Sequence, residues 1–254
     1  MRGCLNIIAI VFGLCLLGIG YLAFYPRATQ TKQVHYRVTV TVKTPTGERR
    51  GSGVWGYSEA ANQAFTGGGY RWVFSPLMEG EAIPVDLGNG RTIYALLGKG
   101  GAKAKSGSRI PATFVPSFYF LNALGQGDVS PAGQDRKDAD ARIAFLQARL
   151  GRPVALDCTP GGNSLGQCPA LIVADGPAAR NIELLDPDNL PATLGPGYWL
   201  RGITIEVVGD PITRGIAKRL PWVKAPDPGQ FGRDLGSVDA EIRATGFIRK
   251  DMPR

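Results

Sequence analysis

Along residues 34–43, VHYRVTVTVK, apolar and polar positions alternate without a break. Val34, Tyr36, Val38, Val40 and Val42 fall on one side, and His35, Arg37, Thr39, Thr41 and Lys43 on the other. Alternation with so many β-branched residues predicts a strand that buries one face and wets the other. The following TPTGE carries turn chemistry, and residues 50–57 read as the return strand of a hairpin. A second hairpin is expected over residues 81–98, EAIPVDLGNGRTIYALLG, with Asn89-Gly90 placed for a two-residue type I′ turn. Pro84 has no N–H to donate, so its strand should lie at a sheet edge or carry a bulge.

The period lengthens over residues 134–150. Ala139, Ile143, Leu146 and Leu150 share a helical face, Asp135, Asp138 and Asp140 enrich the first turns, and Gly151 provides a stop. Residues 154–157 and 170–174 read as short strands on either side of a Gly-rich loop, and residues 198–208 as a longer strand. Asp210-Pro211 then suits the opening of a short basic helix with Ile212, Ile216 and Leu220 inward. No internal repeat is present.

At the start of the chain the pattern is uniformly apolar. Residues 4–25, CLNIIAIVFGLCLLGIGYLAFY, hold no charge, and only Asn6 is strongly polar. As a helix this stretch would rise about 33 Å, enough to cross a bilayer. It is longer than the apolar run of a cleaved signal, and its exit offers no small-x-small site, so a retained anchor is expected. The fold class that follows is α+β: an N-terminal transmembrane helix, then one β-rich domain of mostly antiparallel hairpins with two or more short helices. The expected divisions are 1–26 for the anchor, 27–33 for a spacer, 34–224 for the globular domain and 225–254 for a loosely held C-terminal tail.

Composition agrees: 35 Gly and 19 Pro, about a fifth of the chain, demand many turns without reaching a disordered composition. The net charge of +8 is uneven. Residues 27–109 hold 12 Lys/Arg against 5 Asp/Glu, whereas residues 110–254 hold 16 of each. Arg2 before the span is balanced by Arg27, Lys32 and Arg37 after it, so charge alone does not orient the anchor.

Candidate chemistry narrows quickly. Gly162-Asn163-Ser164-Leu165-Gly166 matches the G-x-S-x-G pattern, but Gly166 and Pro169 deny it the following helix. The one histidine, His35, lies far upstream of Ser164 on the polar side of the first strand, where a surface role is expected. One His and two cysteines outside the span do not make a four-ligand zinc site. Residues 98–107, GKGGAKAKSG, lack the second Gly of a Walker loop, since Ala104 stands before Lys105. Their loop is instead a cationic segment, and Lys99, Lys103, Lys105 and Arg109 are candidates for contact with an anionic surface. Asp186, Asp188 and Asn189 are spaced like the start of a calcium loop without its Gly and Glu, and read as a turn. No cofactor, metal or nucleic acid is expected.

Cys158 and Cys168 bound the loop around Ser164. Two short strands pairing on either side would bring their Cα atoms to disulfide distance, the alternative being two free thiols. A disulfide favours an oxidising compartment, hence a body on the periplasmic side of the inner (cytoplasmic) membrane.

Residues 36–55, YRVTVTVKTPTGERRGSGVW, with residues 80–97, GEAIPVDLGNGRTIYALL, resemble a module of short single-span bacterial membrane proteins without an assigned activity. The resemblance implies that Gly51, Ser52, Gly53, Gly80, Asp86 and Gly88 form a shared architectural unit, and it transfers no site residues. The function expected is a membrane-anchored, non-catalytic binding or assembly module of the bacterial envelope. Its partners would be the bilayer, through the N-terminal helix, and a protein partner or oligomer. The competing reading is a hydrolase-like envelope enzyme with a carboxylate or Ser–Lys site around Ser52, Asp86 or Asp186.

Overall fold

The computed structural model describes residues 31–65, 70–99, 136–156, 158, 168–175, 182–224 and 248–250. Residues 4–25, where a span is expected, and Lys103, Lys105, Arg109 and Ser164 lie outside them. Among the described residues no helix is long and apolar enough to cross a membrane. These residues form two antiparallel sheets with a few short helices, the α+β arrangement expected of the body.

The first strand, β1 (Val34–Thr44), buries its residues in strict alternation, with Tyr36, Val38, Val40 and Val42 fully inside. It turns through Pro45-Thr46 into β2 (Gly47–Phe65), which is far longer than the return strand expected at 50–57. The extra length has a partner: β2 pairs with β1 up to Tyr57, and from Gly56 onward with β3 (Tyr70–Glu81). After Glu81 the chain leaves this sheet, and one residue later begins β4 (Ile83–Asp86) in the second sheet. Trp55 marks the corner, its indole N–H donating to the Glu81 carbonyl at 2.8 Å.

The strand β5 (Arg91–Lys99) returns from β4. Val85 faces Ile93 and Asp86 faces Thr92, and Leu87 donates its N–H to Arg91 at 3.1 Å. That register leaves Gly88, Asn89 and Gly90 as a three-residue loop, with positive φ at Gly88 and Gly90. The two-residue turn expected on Asn89-Gly90 is therefore corrected, because its register would face each residue with the wrong partner. Pro84 does lie on an edge strand: the second sheet runs β4-β5-β7-β8, with β7 at Pro169–Asp175 and β8 at Ile182–Leu184. The first sheet runs β10-β3-β2-β1-β9-β6, where β6 is Val154–Leu156, β9 is Trp199–Val208 and β10 is Ile248–Lys250.

The sheets meet across glycines. An added Cβ on Gly51 would enter the Pro84 carbonyl, and one on Gly53 would stand 2.7 Å from Ile83. On Gly80 it would stand 2.5 Å from Trp55. Gly51 and Gly53 face Val40 and Val38 in unbroken register, so they are neither bulge nor turn. Their missing side chains let β4 cross directly on β2.

The helix α1 (Arg136–Gln147) lies on the inner side of the first sheet, with Ala139, Ile143 and Leu146 buried. Leu150, expected on the same face, is 60% exposed, because the helix ends at Gln147 and Gly151 takes a positive φ. The helix expected to open at Asp210-Pro211 begins later, as α3 (Ile216–Arg219), after Gly215 at φ 121°. With a 3-10 turn at Pro221–Lys224, α3 covers the outer side of the second sheet, packing Ile216, Leu220 and Val223 on Tyr94, Leu96 and Ile172. A sheet buried on both faces explains why β7 reads as an unbroken apolar run. A further short helix, α2 (Leu190–Leu194), adds Leu190 and Leu194 to the central core.

Candidate functional site

Three segments converge at the end of the sandwich where β1 turns into β2. Thr44 fixes the turn, its hydroxyl donating to the Gly47 carbonyl at 2.8 Å. The Gly88–Gly90 loop is held from within: Asp86 Oδ1 accepts the Gly88 N–H at 2.8 Å, and Asn89 Oδ1 the Arg91 N–H at 3.1 Å. Asn89 Nδ2 then donates to the Tyr198 hydroxyl at 3.0 Å, tying the loop to the start of β9. Gly197 sits against Pro45, where a Cβ would approach its ring to 3.0 Å.

On this end Trp199 is 50% exposed, opposite Lys43 in the β1–β9 register. Arg50 and Arg201 both approach Glu48, at 3.3 and 3.8 Å. The Arg49 guanidinium lies over Gly88, the glycine that leaves room for it. Lys43, Arg49, Arg50 and Arg201 are all exposed, and the exposed carboxylates among them are Glu48 and Asp86. The outer side of this end thus carries Lys43, Arg50 and Arg201 against Glu48, with Trp199 opposite Lys43, while Arg49, opposite inward-facing Val42, turns the other way toward Gly88. Next to it, the outer side of the first sheet presents a row of hydroxyls, Ser52 facing Thr39 and Thr39 facing Thr204. Farther along the same side, Arg37 bridges Glu206 at 3.2 Å and Asp210 at 2.6 Å.

A different chemistry sits inside, at the opposite end of β1. Glu59 is fully buried and receives Nε of Arg142 at 3.0 Å, a second Arg142 nitrogen, and the Tyr57 hydroxyl at 2.7 Å. Thr31 closes the backbone around it: its N–H donates to the Glu59 carbonyl at 2.7 Å, and its hydroxyl accepts the Glu59 N–H at 2.8 Å. Tyr36 stacks edge-on against Tyr57 with 6.3 Å between ring centres. Burial, then the charges at Tyr57 and Glu59, pushes the Tyr36 phenol well above the ordinary tyrosine value. The cluster fastens α1 to the sheet with every carboxylate oxygen satisfied, which suits a structural clasp.

Of the residues singled out in the sequence, Cys158 and Cys168 are brought together as a disulfide with Cα atoms 5.1 Å apart. The pairing of flanking strands that suggested it does not occur. Cys158 follows β6 at the edge of the first sheet, and Cys168 precedes β7 in the second, so the bond ties one sheet to the other. Lys99 ends β5, at the end away from the Gly88–Gly90 loop. His35 Nδ1 meets the Asp210 carbonyl at 2.6 Å and Nε2 the Gln33 Oε1 at 3.2 Å, a surface arrangement. Ser52, Asp86 and Asp186 lie on separate elements. Ser52 points outward from β2, Asp86 caps the β4–β5 loop, and Asp186 Oδ1 accepts the Asp188 N–H at 3.0 Å in a tight turn. That turn is the structure of the Asp-rich stretch that had a calcium-loop spacing, and among the described residues no group of carboxylate, His or Cys side chains is poised for a metal.

The sequence reading did not single out Trp199, Arg201, Glu59 or Arg142. Arg142 left a signal, since 139, 142, 143 and 146 form one apolar stripe in which a lone arginine demands a buried partner. Trp199 left none, because an aromatic at the start of a strand is ordinarily core. Comparison with known protein families, curated proteins and solved structures finds no match for this chain.

Proposed function

We propose that this chain is a membrane-anchored, non-catalytic binding module of the bacterial envelope, held by residues 4–25, with its body on the periplasmic side of the inner membrane. The observation that carries the binding reading is the half-exposed Trp199, opposite Lys43 on the cationic outer side of a braced tip. Burying an indole would release water from a large apolar area, so leaving it half in solvent is a standing cost that a partner would remove. Trp and Arg are also the side chains that dominate binding energy in protein interfaces.

Compartment and attachment have separate supports. The Cys158–Cys168 bond is of a kind that persists in oxidising compartments. The 22 uncharged residues at 4–25 have the length and composition of a single span. The resemblance expected of residues 36–55 and 80–97 to short single-span bacterial membrane proteins would accord with the attachment.

A photo-crosslinking residue placed at position 199 of the full-length protein in intact cells tests the reading, with position 152 as the reference site. The expected outcome is membrane-fractionated protein that forms a discrete adduct from position 199 and none from position 152. Recovery in the soluble fraction would refute the anchor. Equal adducts from both positions, or none, would refute a binding tip.

A further inference from the structure

We infer that the partner received at this tip is an acidic protein surface, with Trp199 entering the partner and the surrounding arginines meeting its carboxylates. The inference rests on the binding reading and names the partner class for the same site. Charge is the first argument. On the side of Trp199, Lys43, Arg50 and Arg201 stand against Glu48, which Arg50 and Arg201 share, so that side stays positive. A second copy of the chain docking by the same patch would set two net-positive surfaces against each other, because a two-fold contact presents the same patch from both sides.

Side-chain type is the second argument. Two of the three cations on the indole's side, Arg50 and Arg201, are arginine, whose planar fork pairs two points of one carboxylate and stacks on rings, as a lysine cannot. Interface cores are enriched in arginine and tryptophan and depleted in lysine.

Position is the third, and it disfavours the protein's own bilayer. Thr31 is already fastened to Glu59, so only residues 27–30 remain as a linker, with a reach of about 14 Å. From Val34 the 11-residue β1 then runs about 36 Å to the tip. The tip is the end of β1 farthest from where the chain enters the body. Finally, the tip is braced by the Thr44, Asp86 and Asn89 hydrogen bonds, so docking would lose little conformational freedom.

The test uses the full-length protein in nanodiscs of uncharged phosphatidylcholine and a fluorescent poly-L-glutamate as the acidic polypeptide. Arg50→Glu with Arg201→Glu should weaken binding roughly tenfold at about physiological salt, and the milder Arg50→Gln with Arg201→Gln by a smaller factor in the same direction. Trp199→Ala should weaken it roughly threefold without changing the slope against salt concentration. A reference pair of exposed cations off the tip, Arg152→Glu with Lys218→Glu, should change it by less than about twofold. An equal loss in the reference pair would reduce the effect to overall charge and overturn the inference, as would Trp199→Ala binding like the parent. Tighter binding to phosphatidylglycerol vesicles than to poly-L-glutamate, lost in the Arg50→Glu, Arg201→Glu variant, would make the occupant a lipid and also overturn it. Failure of the parent protein to enter nanodiscs refutes the anchor alone, and so separates the two readings.

Discussion

Glu59 and Arg142 show how much one pair of residues can hold. A carboxylate with no solvent exposure is tolerable only because Arg142 and Tyr57 supply its hydrogen bonds. Arg142→Met leaves that charge alone in the core, and urea denaturation should show a loss of about 3–5 kcal/mol. Adding Glu59→Gln to Arg142→Met should recover part of the loss, and a double variant no better than the single would show that the ion pair is not what fastens α1. Tyr36 makes the second residue-level case. Its phenol is raised above 10.0 chiefly by burial, so the folded protein holds that proton more tightly than the unfolded chain does. The resulting stability is complete below about pH 10 and is lost as pH climbs toward the folded value. Tyr36→Phe should therefore lose less stability than the parent between about pH 9 and 11, read from urea midpoints. Equal losses would place the alkaline sensitivity elsewhere.

Among the elements, β2 carries the most information, because its glycines decide how the two sheets approach. The resemblance grouped Gly51, Gly53, Gly80 and Gly88 as one unit, and such glycines usually mark bulges or turns. Only Gly88 does so, at φ 79°. The other three are contact glycines: the backbone of β4, the side chain of Ile83 and the ring of Trp55 fill the space a Cβ would take. Gly51→Ala should cost at least about 1–3 kcal/mol, since the obstacle is backbone that cannot rotate away. Gly90→Ala, with open space but a positive φ, should cost about 1 kcal/mol from strain alone. If thermal melts give the reverse ranking, the sheets do not cross where these glycines place them.

For the whole molecule, the disulfide has a larger consequence than closing its own loop. Cys158 belongs to the edge of one sheet and Cys168, nearly fully buried, to the start of a central strand in the other. Cys158→Ser with Cys168→Ser should lower stability by about 2–3 kcal/mol. Thiol labelling of the native protein without reductant should leave both positions unmodified, and ready labelling of both would remove the bond and the argument for an oxidising compartment.

The local elements of this protein are legible in its sequence because they depend on neighbours two or three residues away. The alternation of residues 34–43 specifies which face of β1 is buried, Pro84 specifies an edge, and the 139–146 stripe specifies the inner face of α1. Tertiary structure alone decided the rest, since each remaining feature joins residues far apart in the chain. Strands on either side of Cys158 and Cys168 could have paired with each other, yet β6 pairs with β9 in one sheet and β7 with β5 and β8 in the other. The length of β2, the role of Gly51 and the burial of Glu59 follow from what crosses or covers them. Trp199 became a surface residue because, past the bulge between Thr41 and Val42, it falls opposite Lys43 on the solvent side of β1. Periodicity reports which side of an element faces inward, and only packing reports what it meets there.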